Sequence, residues 1–244
     1  MDEAAKTSRT TIIACDTVLE EMMPLMSADM NYQRIGVGLH LYPEKLRQAL
    51  QEAVDKASEA ADTIVLGYGL CAMAVVGLKS DKAVLVVPRV DDCIAIFLGS
   101  GEAYKKQASE EPGTYYLTKG WIEAGDSPFS DHERLVEKYD EKRADRMTKL
   151  TLKHYTRLAY IDTGRDEQQE YRNYSRQNAG KFDLKYDEVS GSTDLVKKML
   201  YGPWDDDFVV VQPGHIISYD DFKATGSSVC ISPQARSRTK RSDR

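Results

Sequence analysis

Residues 63–78 read TIVLGYGLCAMAVVGL. The β-branched, apolar run at 63–69 is too short for a helix. It stops at glycine punctuation and is followed at once by a cysteine, Cys71, which is the signature of a buried strand ending in a turn. The same order recurs three times. TTIIAC ends at Cys15, RIGVGLH (34–40) ends at His40, and AVLVVP (83–88) leads through RVDD to Cys93. Helix-compatible segments lie between these runs. DTVLEEMMPLM is broken by Pro24, which cannot continue a helix. PEKLRQALQEAVDKASEAAD opens on Pro43, suited to the first helical position, and places Leu46, Leu50, Val54, Ala57 and Ala61 at helical spacing. Near-continuous apolar strands alternating with helices predict a parallel sheet covered on both faces.

The rhythm resumes further on. LAYIDTG (158–164) reads as a strand and turn, and RDEQQEYRNYSRQNAG as a helix closed by Gly180. KFDLKYDEVSG is extended. STDLVKKMLYG is a helix capped by Ser192 or Thr193 and ended by Gly202, and DFVVVQPG (207–214) is a last buried strand. Between the two series lie EEPGTYYLTKGWIEAGDSPFS, aromatic and rich in Gly and Pro, and a long charged helical stretch at 132–157 in which His132 and His154 read as surface residues. The fold class expected is α/β, with two packed Rossmann-like halves, mostly parallel sheets and a cleft between them. One unit spans 10–222, with halves at about 10–100 and 158–215 joined by an aromatic loop and the long helix. A disordered basic tail follows at 223–244.

Composition narrows the function classes. Hydrophobic residues make up 41% and charged residues 30% of 244 positions, as in a globular chain with one substantial core. The net charge of −6 argues against a nucleic-acid surface. No apolar run is long enough to span a bilayer, and the first residues, MDEAAKTSRTTIIAC, lack the order of a signal peptide, so the expected location is cytoplasmic. In that compartment Cys15, Cys71, Cys93 and Cys230 are expected to be free, catalytic or metal-bound rather than a disulfide framework.

Cys15, His40, Cys71 and Cys93 share one address, just after successive strands. In a parallel sheet such ends lie ~4.8 Å apart and point the same way, so the four side chains can converge. Three thiolates and an imidazole suit tetrahedral zinc, and three cysteines also suit an iron–sulfur cluster. The spacing is not a CxxC pair, and buried cysteine as core filler is the competing reading. Asp91 and Asp92 precede Cys93; one could orient His40, or cap a helix. The aromatic segment supplies Tyr115, Tyr116 and Trp121 as a cover for a bound cofactor, and Asp162, at a strand end of the second half, could face the cleft or cap the next helix. His215 and Cys230 read as incidental. GSGEAY (99–104) matches no phosphate-binding loop, and neither GxSxG nor HExxH occurs.

The segments IIAC, GLHLYPEKLR, GYGLC, VVGLKS, LVVPRVDDCIAIFLGS, EPGTYYLTKGWIEAGD, LAYIDTG and WDDDFVVVQPG together resemble domain-of-unknown-function family 1638 of bacteria and archaea, over about residues 10–215. The resemblance implies company with corrinoid-dependent methyltransferases and corrinoid-binding proteins, and so one-carbon methyl transfer. The reading is a metal- or cluster-binding protein of corrinoid-linked one-carbon metabolism, as methyltransferase or accessory protein, with zinc or an iron–sulfur cluster bound and the corrinoid on a partner. Two alternatives stay open: a metal-free enzyme using Cys71 and Cys93 as a thiol pair with Asp92 beside them, and a non-catalytic partner of a corrinoid protein.

Overall fold

The computed structural model describes residues 9–164 and 169–223. Cys230 and almost all of the expected basic tail lie outside the described residues. The chain is mixed α/β with sheets rich in parallel pairs. The first series runs β1 (Thr10–Cys15), α1 (Asp16–Met22), β2 (Asn31–Ile35), α2 (Pro43–Ala57), β3 (Thr63–Gly67), β4 (Val84–Pro88), α3 (Cys93–Phe97) and α4 (Gly101–Glu110). The second runs β5 (Thr114–Leu117), α5 (Lys119–Glu123), α6 (Pro128–Lys138), α7 (Glu141–Leu152), β6 (Arg157–Asp162), α8 (Gln169–Lys181) and β7 (Lys185–Ser190). The described chain then closes with α9 (Asp194–Tyr201) and β8 (Phe208–Val211). Among the described residues no helix is long and apolar enough to cross a membrane.

Five strands form one sheet in the order β2-β1-β3-β4-β8, and three form a second in the order β5-β6-β7. Neighbours are parallel throughout except β8, which lies antiparallel on β4. All five residues of β3 are buried, as the unbroken apolar run requires of a strand covered on both faces. The α2 helix seats Leu46, Leu50, Ala53 and Val54 on the sheet, each leucine contributing about 1.5–3 kcal/mol by burial.

The structure corrects the sequence reading in several places. The run at 34–40 is not one strand. Gly36 and Gly38 weaken pairing; β2 ends at Ile35, and Val37–Leu41 form a 3-10 turn that carries His40. The expected aromatic loop is instead β5 followed by α5 and α6, because its glycines and proline are boundary residues. Pro128 sits in the first turn of α6 behind the Ser127 cap, and Gly125 takes a positive φ of 62° just past α5. The long charged helix is two helices, since Asp140 breaks it and caps α7 through the N–H of Arg143. Within it His132 is buried, 2.7 Å from an oxygen of Asp145, whereas His154 is exposed as expected. Gly180 lies inside α8, and Asp183 takes the positive φ beyond it. The second sheet begins at Thr114 rather than near 158, and β8 returns to the first sheet. That return pairs what would be an open edge on β4. It also seats Ile217 between Gly77 and Leu78 by two backbone hydrogen bonds of 2.8 and 2.9 Å.

The two sheets meet through their helices. The α1 helix packs against α3, α5 and α9. A Cβ at Gly120 in α5 would lie 3.2 Å from Cα of Thr17, so glycine lets α5 approach the first turn of α1. The loop after β7 is tied to both sides. Gly191 N–H donates to the Asp162 carbonyl (2.7 Å) and Ser192 N–H donates to the Phe97 carbonyl at the end of α3 (3.0 Å). The carboxyl end of the second sheet therefore abuts the helices that begin where the first sheet's strands stop.

Candidate functional site

Three cysteines close three neighbouring strands. Cys15 is the last residue of β1, Cys71 lies four residues past β3, and Cys93 opens α3 after β4. Because β1, β3 and β4 are adjacent in the sheet, the thiols come to the same end of the same layer. All three are buried and free.

The local backbone is built to hold them there. After β3 the chain turns through Leu70 and Cys71, whose N–H groups donate to the carbonyls of Val90 (2.9 Å) and Asp91 (3.1 Å) beyond β4. This approach needs Gly69, where a Cβ would fall 2.7 Å from the Val90 carbonyl oxygen and 2.8 Å from the Asp92 nitrogen. Both are backbone atoms and cannot step aside cheaply. Gly69→Ala is therefore expected to cost about 1–3 kcal/mol in denaturant unfolding and to loosen Cys71 and Cys93 together. A change under about 0.5 kcal/mol would show that the two loops are not clamped. Cys71 and Met73 take positive φ values of 39° and 69°, uncommon for residues with a Cβ and so held by their surroundings.

The neighbouring polar groups have definite duties. Asp92 caps α3, its Oδ1 accepting from Ile94 N–H at 2.9 Å, so of the two roles weighed for this acid the helix cap is realised. Asp16 accepts from Val37 N–H (3.1 Å) and from Arg34 (3.1 Å), which ties the end of β1 to the turn carrying His40. The His40 ring stacks on Tyr68, with centroids 5.9 Å apart and planes 24° apart, and Tyr68 is the residue immediately after β3. His40 thus lies on a turn, in ring contact with Tyr68, rather than at a strand end.

Electrostatics bind the group into one neighbourhood. Burial pushes the Cys71 thiol up, and the charges of Asp92 and Cys15 push it further. Burial likewise raises Cys93, followed by Cys15, Cys71 and Asp92. Burial raises Cys15, partly offset by its contact with the Thr17 hydroxyl at 3.1 Å. The three thiols are therefore protonated at neutral pH in the metal-free protein. Among the described residues no group of three or more His, Cys, Asp or Glu side chains is gathered tightly enough to hold a single metal ion.

A pH dependence follows, with its sign fixed by these directions. Above the ordinary thiol value of 9.0, an unfolded chain gives up protons that the folded chain keeps. The unfolded state then binds fewer protons, so stability is complete below about pH 9 and falls as pH rises beyond it, by up to about 1.4 kcal/mol per pH unit for each thiol. Metal-free protein is expected to show this alkaline loss in denaturant titrations, and each Cys→Ser change should flatten it. Equal slopes for parent and serine variants would contradict the buried-thiol assignment.

The remaining residues singled out from sequence divide. Tyr116, on β5, is buried, which raises its hydroxyl pKa, partly offset by the nearby Arg157. Trp121 is buried in α5 against α1. Tyr115 points to the other face of β5, edge-on to Phe129 (5.5 Å) and Tyr155 (5.2 Å), and belongs to the core of the second series. Asp162 is ion-paired with Arg172 of α8 and accepts from Gly164 N–H at 2.9 Å, so it is engaged within its own half. His215 is exposed. Sequence reasoning missed Tyr68 and Asp16. A tyrosine enclosed by Gly67 and Gly69 at a strand exit was the available signal for the first.

A family model described as protein of unknown function (DUF1638) matches residues 35–200. The chain belongs to this family. The DUF1638 match takes in His40, Tyr68, Cys71, Asp92, Cys93 and Tyr116, and Cys15 precedes it. No curated protein and no solved structure matches the chain significantly.

Proposed function

We propose that Cys15, Cys71 and Cys93 hold an iron–sulfur cluster at the carboxyl ends of β1, β3 and β4. The observation that carries this reading is the grouping of three buried thiols at the ends of three adjacent strands, with Cys15 adding to the burial that raises Cys71 and Cys93. Such thiols are poor nucleophiles. Burial and mutual repulsion both penalise the thiolate, and a bound cation is what reverses that penalty. This weighs against the metal-free Cys71/Cys93 pair. Three cysteines also leave one position for another ligand. His40, stacked on Tyr68, favours a second reading in which the three cysteines and this imidazole draw together around a zinc ion on binding, since as they stand they are not gathered tightly enough to hold one.

When bound, a cluster supplies one-electron transfer. That chemistry fits the corrinoid-linked one-carbon role implied by the family resemblance, because corrinoid cobalt requires one-electron reduction. In this reading the chain is an accessory protein that meets a corrinoid-binding partner, and Tyr116 and Trp121 screen the site from the second-sheet side. The experiment is anaerobic addition of ferrous iron and sulfide to metal-free protein. Uptake must displace the thiol protons, so it should weaken steeply as pH falls. Uptake of zinc alone, with no visible chromophore after iron and sulfide, would select the second reading.

A further inference from the structure

Tyr68 is fully buried, yet its hydroxyl meets no hydrogen-bond partner among the described residues. A buried hydroxyl left unpaired costs about 1–3 kcal/mol, and phenylalanine would fill the same volume without that cost. Tyr68 directly follows Gly67, which pairs with Ala14, so it stands level with Cys15 at the carboxyl end of the sheet. Its ring is held against His40, and after burial itself the charges of Cys15, Cys71, Asp16 and Cys93 push its hydroxyl pKa up. Thr17 contacts Cys15, Ile94 N–H engages Asp92, and Val37 N–H and Arg34 engage Asp16, whereas the Tyr68 hydroxyl has no such contact among the described residues.

We propose that the Tyr68 hydroxyl donates a hydrogen bond to the anionic centre held by the three thiols, to a cluster sulfide, to a cysteine thiolate or to the ligand in the open position. This rests on the metal-centre reading above and assigns Tyr68 as a positioning residue for it. All of these acceptors carry negative charge, and a hydrogen bond to such an acceptor in a water-excluded site is of the strong, charge-assisted kind. Donation to sulfur stabilises the more negative, reduced form of a cluster, and hydrogen bonds to the sulfurs are among the factors that set its potential. The partner arrives with the metal, which explains a phenol that has none among the described residues.

The test compares the full chain with a Tyr68→Phe variant, metal-free and after anaerobic loading with ferrous iron and sulfide. Without metal the variant should melt at the same temperature as the parent or higher, because no hydrogen bond is lost. With the centre loaded, the variant should have a more negative midpoint potential and release metal to a chelator roughly tenfold more readily, as expected when a ligand's supporting hydrogen bond is removed. A variant that is equally destabilised with and without metal would make the hydroxyl structural and overturn the proposal. Loaded forms with identical potential and identical metal release would overturn it while leaving the metal centre standing. Failure of the parent protein to take up iron or zinc would overturn both.

Discussion

If the proposed metal centre is bound, Cys93→Ser is expected to weaken its retention by at least roughly a hundredfold, because loss of an outer-shell hydrogen bond alone costs 10- to 100-fold and a direct ligand contributes more. Serine keeps the shape of the side chain but offers an oxygen that stays protonated. Cys93 is the first residue of α3, and its neighbours Ile94, Ala95, Ile96 and Phe97 are all buried, so the helix itself is anchored independently of the thiol. The fold should therefore persist, with a cost of about 1–3 kcal/mol for burying a hydroxyl in a thiol's place. Iron and sulfide per chain, measured beside a denaturant curve, separates the two effects. A variant that folds and keeps its metal would remove Cys93 from the ligand set.

The largest effect on stability is expected at Arg157. This guanidinium is buried at the start of β6 and makes three hydrogen bonds of 2.8 Å, to the Thr114 hydroxyl, the Asp187 carboxylate and the Gln107 amide oxygen. It joins the three strands of the second sheet to α4. Arg157→Met removes the charge and leaves Thr114 and Gln107 facing an apolar side chain. Breaking a buried pair from one side typically costs 3–5 kcal/mol. Asp187 is partly exposed and can turn to water, which puts the expected loss near 3 kcal/mol, or roughly 6–12 °C in Tm for a chain of this size. A loss under about 1 kcal/mol would show that the sheet does not depend on this hub. Tyr116 should report the change as well, because it loses the cation that offsets the effect of burial.

The central sheet was readable because β1, β3 and β4 are continuous β-branched runs with a glycine, proline or cysteine at their ends. Such runs are unambiguous when both faces are buried. The α2 helix was readable from its period, with Leu46, Leu50 and Val54 on the buried stripe. Direction was not readable for β8. A short apolar run pairs equally well either way, and only the edge it must cover decides. Strand β5 was hidden by the density of Gly and Pro around GTYYL, although two tyrosines and a threonine are good strand formers. Those breakers mark the ends of short elements and not the interior of a loop.

The candidate site was legible in its thiols and less so in its support. The position of a cysteine after each strand is a one-dimensional pattern, whereas the stacking of His40 on Tyr68 crosses from β2 to β3 through a turn. Tyr68 itself reads as strand filler, since only three dimensions show that it is fully buried with its hydroxyl unpartnered among the described residues. Tyr115 and Tyr116 differ in fate because alternate residues of a strand face opposite ways, and that distinction required knowing that β5 is a strand.

The most direct measurement is the metal and acid-labile sulfide content of the full chain purified without exposure to oxygen. Several irons with matching sulfide per chain and a brown colour are expected, with loss of both when Cys15, Cys71 or Cys93 becomes serine. Protein that is colourless, free of iron and zinc, and unable to take up either would contradict it.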